Sequence, residues 1–115
     1  MAYKIDLSGF SVRQLRARRR RLAASLGDVE ELVAGKLIHQ ERRCGKPGCR
    51  CADGPGHGPY TYLQVAGAAR SRLVYVPAVL VESVSARVDA HAIAQAVLAE
   101  ISAINTELLA RRELG

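Results

Sequence analysis

A chain of 115 residues with a formal net charge of +6 has room for one compact domain and not for two full cores. Its 49% apolar content argues against disorder throughout, and its three cysteines, an odd number, argue against a secreted disulfide scaffold. The start of the chain lacks the apolar segment of a signal peptide, and the longest apolar run, Leu73 to Val81, falls far short of the ~20 residues of a membrane span. The expectation is a small, basic, cytoplasmic domain with an anionic partner and no membrane contact.

The first helix is predicted to start at Ser11. Ser11 can cap it, and Gln14 stands three residues on, the capping-box spacing. Leu15, Leu22 and Leu26 are spaced to share one face, and Gly27 can end the helix in a left-handed conformation. Asp28 with Glu31 repeats the spacing, which predicts a second short helix to about Ala34, stopped by Gly35. Leu37 to Arg43 reads as a strand. Residues 44–59 hold all three Cys, five of the ten Gly and three of the four Pro, so they are read as a shaped loop rather than a regular element. Tyr60–Val65 and Arg70–Val76 read as two strands joined through Gly67, Ala68 and Ala69. If Ala66 pairs with Arg70, Leu63 faces Leu73 and Thr61 faces Tyr75, leaving Tyr60, Tyr62, Gln64, Arg70 and Arg72 on the other face. Pro77 ends the strand because it has no N–H for the ladder. From Ala78 to Glu113 there is neither Gly nor Pro, which predicts one long helix, bent or broken near Asp89 if anywhere.

The loop carries the sharpest chemical signal. Cys44, Cys49, Cys51 and His57 stand in the pattern C-x4-C-x-C-x5-H, and three thiolates with one imidazole form a closed tetrahedral set of the kind used for structural Zn2+. A loop with so little apolar content gains its folding energy from such an ion. Three unrelated thiols, or an iron–sulfur cluster, are the competing readings, and His39 is an alternative to His57 as fourth ligand. The motif Cys44-Gly45-Lys46-Pro47-x-Cys49-x-Cys51, then His57-Gly58-Pro59-Tyr60-x-Tyr62-Leu63, resembles the hallmark of a small family of uncharacterised prokaryotic proteins. The resemblance runs from about residue 35 to 110 through Arg70-x-Arg72 and Val76-Pro77. It implies a zinc-binding accessory protein, associated with mobile elements, and no defined activity.

Charge is uneven along the chain. Residues 1–72 hold 14 Lys and Arg against 6 Asp and Glu, a net of +8, and residues 73–115 hold 3 against 5, a net of −2. Arg13, Arg16, Arg18, Arg19, Arg20 and Arg21 crowd the first helix, with Arg13, Arg16 and Arg20 on one stripe and Arg19 within the apolar face. Four consecutive like charges repel, and the planar guanidinium fork suits phosphate, so a nucleic-acid backbone is the expected partner, DNA before RNA. A solvated, solubilising face is the bland alternative. Arg42, Arg43, Lys46, Arg50, Arg70 and Arg72 form a second basic group near the loop. Tyr60 and Tyr62 either stack on unpaired bases there or pack under the last helix.

On the last helix Ile93, Val97, Ile101, Ile104 and Leu108 recur at helical spacing. Val97, Ile101, Ile104 and Leu108 are expected to form the seam of a homodimer, or else to pack inside the chain against the N-terminal helices. No paired carboxylate, phosphate loop or catalytic triad spacing is present, so an enzyme is not expected. The fold class is read as α+β: a basic helical segment (1–35), a three-stranded antiparallel sheet with a zinc loop (36–77) and a long C-terminal helix (78–115). The expected function is nucleic-acid binding. A protein-interaction adaptor or inhibitor working through the last helix is the alternative.

Overall fold

The computed structural model describes residues 6–43, 45–49, 54 and 56–115. The elements run α1 (Val12–Ser25), β1 (Gly35–Arg42), β2 (His57–Val65), β3 (Leu73–Val76), a single 3-10 turn (Ala78–Leu80) and α2 (Val81–Ala110). Mixed helix and antiparallel sheet make this an α+β chain. It packs as two compact units, Met1–Glu31 with His91–Gly115, and Leu32–Ala90.

The helical unit starts as its sequence predicts. Gln14 N–H donates to Ser11 Oγ at 3.0 Å and Ser11 N–H to Gln14 Oε1 at 2.8 Å, a complete capping box. Gly27 follows the C-terminal cap at φ +58°, a backbone angle that costs glycine nothing. Leu15 of α1 and Ile104 and Leu108 of α2 have no exposed surface, and Leu7 joins them, with Val12, Leu22 and Ala103 packed around. Ile104 and Leu108, expected in a seam between two copies, therefore lie in the core of one chain. Leu15 covers them, so these two side chains serve the core of one chain. Val97 and Ile101 are half-buried.

The end of α2 is closed by an Arg. Glu113 N–H donates to Leu108 O at 2.7 Å and Arg112 N–H to Leu109 O at 3.0 Å, the Schellman pattern, with Arg112 at φ +62° where Gly is usual. Arg111 holds the N-terminal segment: its guanidinium donates to Phe10 O at 2.7 Å and Leu7 O at 3.0 Å, and its Nε to Glu107 at 2.8 Å. α2 has no break near Asp89. With its 3-10 lead-in it is the one stretch among the described residues long and apolar enough to cross a membrane by length and composition. The apolar positions at its C-terminal end are the ones α1 covers.

No helix forms over 28–34. Asp28 Oδ1 accepts the N–H of Glu30, two residues on, at 2.9 Å, so its side chain closes a turn instead of capping a helix. Further along, Ala34 O accepts from Ala66 N–H at 3.2 Å, which commits that backbone to the sheet.

In the sheet unit the order is β1-β2-β3, antiparallel throughout. β1 pairs with β2 through Leu37↔Leu63 and Ile38↔Tyr62, and the register shifts between Gln40 and Arg42, where Pro59 of β2 sits opposite the irregularity. A bulge tolerates a Pro because no ladder N–H is required there. β2 pairs with β3 through Tyr62↔Tyr75 and Leu63↔Val74. The expected pairing of Leu63 with Leu73 and Thr61 with Tyr75 is one residue out. The link between the strands is longer than the sequence suggests, since β3 starts at Leu73 and not at Arg70. A one-residue slip turns every side chain to the other face. Tyr75 thus joins Tyr60 and Tyr62, while Leu37, Leu63 and Val76 share the opposite, more sheltered face, with Val76 the best buried residue of the three strands.

Candidate metal and nucleic-acid sites

Cys49 is presented by a tight turn. Its N–H donates to Lys46 O at 3.2 Å, Pro47 supplies a fixed φ, and Gly48 takes φ +78°. Pro then Gly with a positive φ is the type II arrangement. The turn sets Cys49 Sγ 3.3 Å from Nε2 of His57, the first residue of β2. His57 is opposite Arg42 in the ladder, so β1 and β2 bring the far end of the loop back to the thiol. Gly58 follows at φ +110°, and a Cβ on it would stand 2.6 Å from the Tyr60 nitrogen, so the chain after His57 has room only for glycine.

His39 does not share this place. It lies within β1 opposite Thr61, with Nδ1 2.9 Å from Thr61 Oγ1. His91 is half-buried in α2. Cys44, Arg50 and Cys51 lie outside the described residues, and among the described residues no three His, Cys, Asp or Glu side chains gather as a metal-holding group.

The arginines of α1 divide into two sets. Arg18 donates through Nε to Glu100 Oε1 at 2.7 Å, and its Nη2 reaches the same oxygen. Glu100 is 6% exposed, so this guanidinium neutralises the buried carboxylate of α2. Arg19 donates to Asn105 Oδ1 at 2.7 Å, as expected of a polar residue within the apolar face. Arg16 donates to Glu113 O at 2.9 Å, with that residue's carboxylate at 3.6 Å. Arg13, Arg20 and Arg21 are exposed, with no hydrogen bond or ion pair among the described residues. Arg13, Arg16 and Arg20 line a shallow hollow with Val12 and Ala17. Glu100 and Asn105 were not singled out by sequence reasoning. The available signal was a lone acid and a lone amide on the apolar stripe between Ile93 and Leu108.

In the sheet unit, the Arg42 guanidinium carbon stands 4.9 Å from the centre of the Tyr62 ring. Tyr75 meets Tyr62 edge-on at 5.8 Å and Tyr60 at 6.5 Å between ring centres. Arg43 and Lys46 are exposed beside the Cys49 turn, and Arg70 and Arg72 are exposed in the link before β3. Tyr75 is the member of this group that the sequence reading put on the wrong face.

Residues 12–86 match the family model described as a domain of unknown function, DUF6788. The match begins at α1, whereas the resemblance carried by the loop motif was expected to begin near residue 35, and it stops at Ala86 in α2. No curated protein and no solved structure matches the chain.

Proposed function

We propose, for a chain that belongs to the DUF6788 family, that it is a small zinc-stabilised nucleic-acid-binding protein with an accessory or regulatory role. The approach of Cys49 Sγ to His57 Nε2 carries the reading. Two ligands of a tetrahedral zinc, at about 2.3 Å for sulfur and about 2.05 Å for nitrogen, stand roughly 3.5 Å apart, and the observed separation is 3.3 Å. A thiol and an imidazole are also the right donors. Cys44 and Cys51 would complete the set. The ion would supply folding energy to a loop that has almost no apolar side chains. Arg42, Arg43 and Lys46 near the turn, Arg70 and Arg72 at the other end of β2, and separately Arg13 and Arg20 of the helical unit, would then meet phosphate. DNA is the proposed ligand ahead of RNA. No membrane role is proposed for α2, since Ile104 and Leu108 already serve a protein core.

Metal analysis and binding at several salt concentrations test this together. The purified protein is expected to carry one zinc per chain, and Cys49→Ser to lose it. Affinity for DNA should fall steeply with salt, by about 0.9 in the log–log slope for each phosphate contact. Metal-free protein of unchanged stability would overturn the zinc reading, and salt-independent binding the phosphate reading.

A protein-interaction adaptor is the second reading, favoured by Ile93, Leu98 and Leu109, which stand 54–66% exposed on α2. Leu98→Ser should then abolish partner capture and leave DNA binding intact.

A further inference from the structure

The chain has very few aromatic residues: four Tyr, one Phe and no Trp. A core starved of large side chains would be expected to take in whatever aromatics exist, because each buries a large apolar area. Three of the five are instead gathered on one face of the sheet, two of them exposed. Tyr75 is 53% exposed and Tyr60 37%, with Tyr62 half-buried between them and Leu73 of the same face 39% exposed. The register that pairs Tyr62 with Tyr75 puts these rings together, and Tyr60 lies two residues from Tyr62, on the same side.

The stretch that carries this face is basic in sequence. From Gly35 to Val76 the sequence carries seven Lys and Arg against two acids, Glu41 and Asp53. Arg42 is already stacked on Tyr62, and a planar cation held over a ring offers a further flat surface beside it. Lys36 shares the aromatic face, opposite Gln64. An open aromatic surface with positive charge around it matches a polyanion that carries flat, apolar rings.

We infer that this face binds single-stranded nucleic acid, with unpaired bases stacking on Tyr75 and Tyr60 and the phosphates tracking the neighbouring cations. This rests on the nucleic-acid reading above and adds to it the strand form and the residues that read it. Duplex DNA keeps its bases stacked on each other and offers nothing to these rings. Stacking on aromatic side chains is indifferent to base identity, since every base has a π-face, so little sequence preference is expected.

The test is a fluorescence-anisotropy titration of the full chain with a labelled oligothymidylate and with a duplex of the same length, read alongside the protein's tyrosine emission. The single strand should bind more tightly and quench tyrosine. Tyr75→Ala should weaken single-strand binding roughly 5- to 150-fold, while Tyr75→Phe keeps it. Tyr60→Ala serves as an independent variant should Tyr75→Ala disturb the sheet. Equal affinity for single strand and duplex, with both alanine variants unaffected, would overturn this inference and leave the phosphate-binding reading standing. Binding of neither nucleic acid would overturn both. Tyr75-dependent capture of polyglutamate without capture of the oligonucleotide would assign the face to an acidic protein instead.

Discussion

The helical unit and the sheet unit differ in where their basic residues go. The helical unit holds the densest basic run in the sequence, yet nine Lys and Arg there face seven acids, and the sheet unit has eight against four. Arg18, Arg19, Arg16 and Arg111 each give their guanidinium to an oxygen of the same unit. In the sheet unit, Arg87 likewise donates to Ser83 Oγ at 3.3 Å, but Arg42 sits on an aromatic ring. A run of like charges is thus a poor measure of free positive surface. What decides is whether an acid or an open carbonyl stands opposite each residue, and a helix partner from the far end of the chain can supply one. The long apolar stripe teaches the same lesson. Its last two members, Ile104 and Leu108, are covered by Leu15 of α1, whereas Ile93 stays 66% exposed.

The comparison is easiest to break at the core of the helical unit. Three side chains, Leu15, Ile104 and Leu108, are its fully buried centre. Leu15→Ala removes about three buried methyl and methylene groups from a site with little around it to collapse, and a loss of about 2–5 kcal/mol is expected. Denaturant unfolding followed by helical circular dichroism measures it. A loss below about 1 kcal/mol would mean that the helical pair draws its stability from somewhere other than this core.

The division among the arginines gives the next effect. Arg18→Ala strands the Glu100 carboxylate, which is 6% exposed, without its partner. Stranding a buried polar group costs about 1–3 kcal/mol, and the lower half of that range is expected because Arg18 itself is 42% exposed. Arg20→Ala should cost almost no stability. In DNA binding the order reverses: Arg20→Ala should lower the log–log salt slope by about 1, whereas Arg18→Ala should leave it unchanged. Equal effects of the two variants on both measurements would erase the distinction between structural and free arginines.

How much of this was legible beforehand depends on the range of the interaction concerned. The Ser11–Gln14 capping box, the stop at Gly27 and the existence of one long last helix are local, and composition and spacing show them, as they do the class of element for each strand. That α2 runs unbroken past Asp89 is the structure's addition. The failures are long-range. Asp28 is the local exception: it has the spacing of a cap, but its side chain accepts the Glu30 N–H two residues on and closes a turn. The link between β2 and β3 looks like a three-residue turn around Gly67, yet the ladder begins only at Leu73, and that moved Tyr75 to the other face. The Cys–His loop stands out in the sequence, and the structure adds which His stands beside Cys49: it is His57, while His39 lies beside Thr61 across the sheet. Glu100 as the partner of Arg18 is separated from it by 82 positions, and only the tertiary fold joins them.

The smallest effect is expected at the end of α2, and its sign sharpens the contrast. Arg112 is in the left-handed region at φ +62°, where a Cβ is crowded, and it is held there by the two hydrogen bonds that close the helix. Glycine carries no such penalty, so Arg112→Gly should raise stability by about 0.5–1 kcal/mol, offset in part by the greater freedom of glycine in the unfolded chain. The substitution also removes one positive charge from the helical unit. If that unit's charge is mainly internal, DNA affinity should change little while the thermal midpoint rises. Should affinity fall as far as it does for Arg20→Ala, the C-terminal turn would belong to the phosphate-binding surface, and the helical unit would be less structural than its ion pairs indicate.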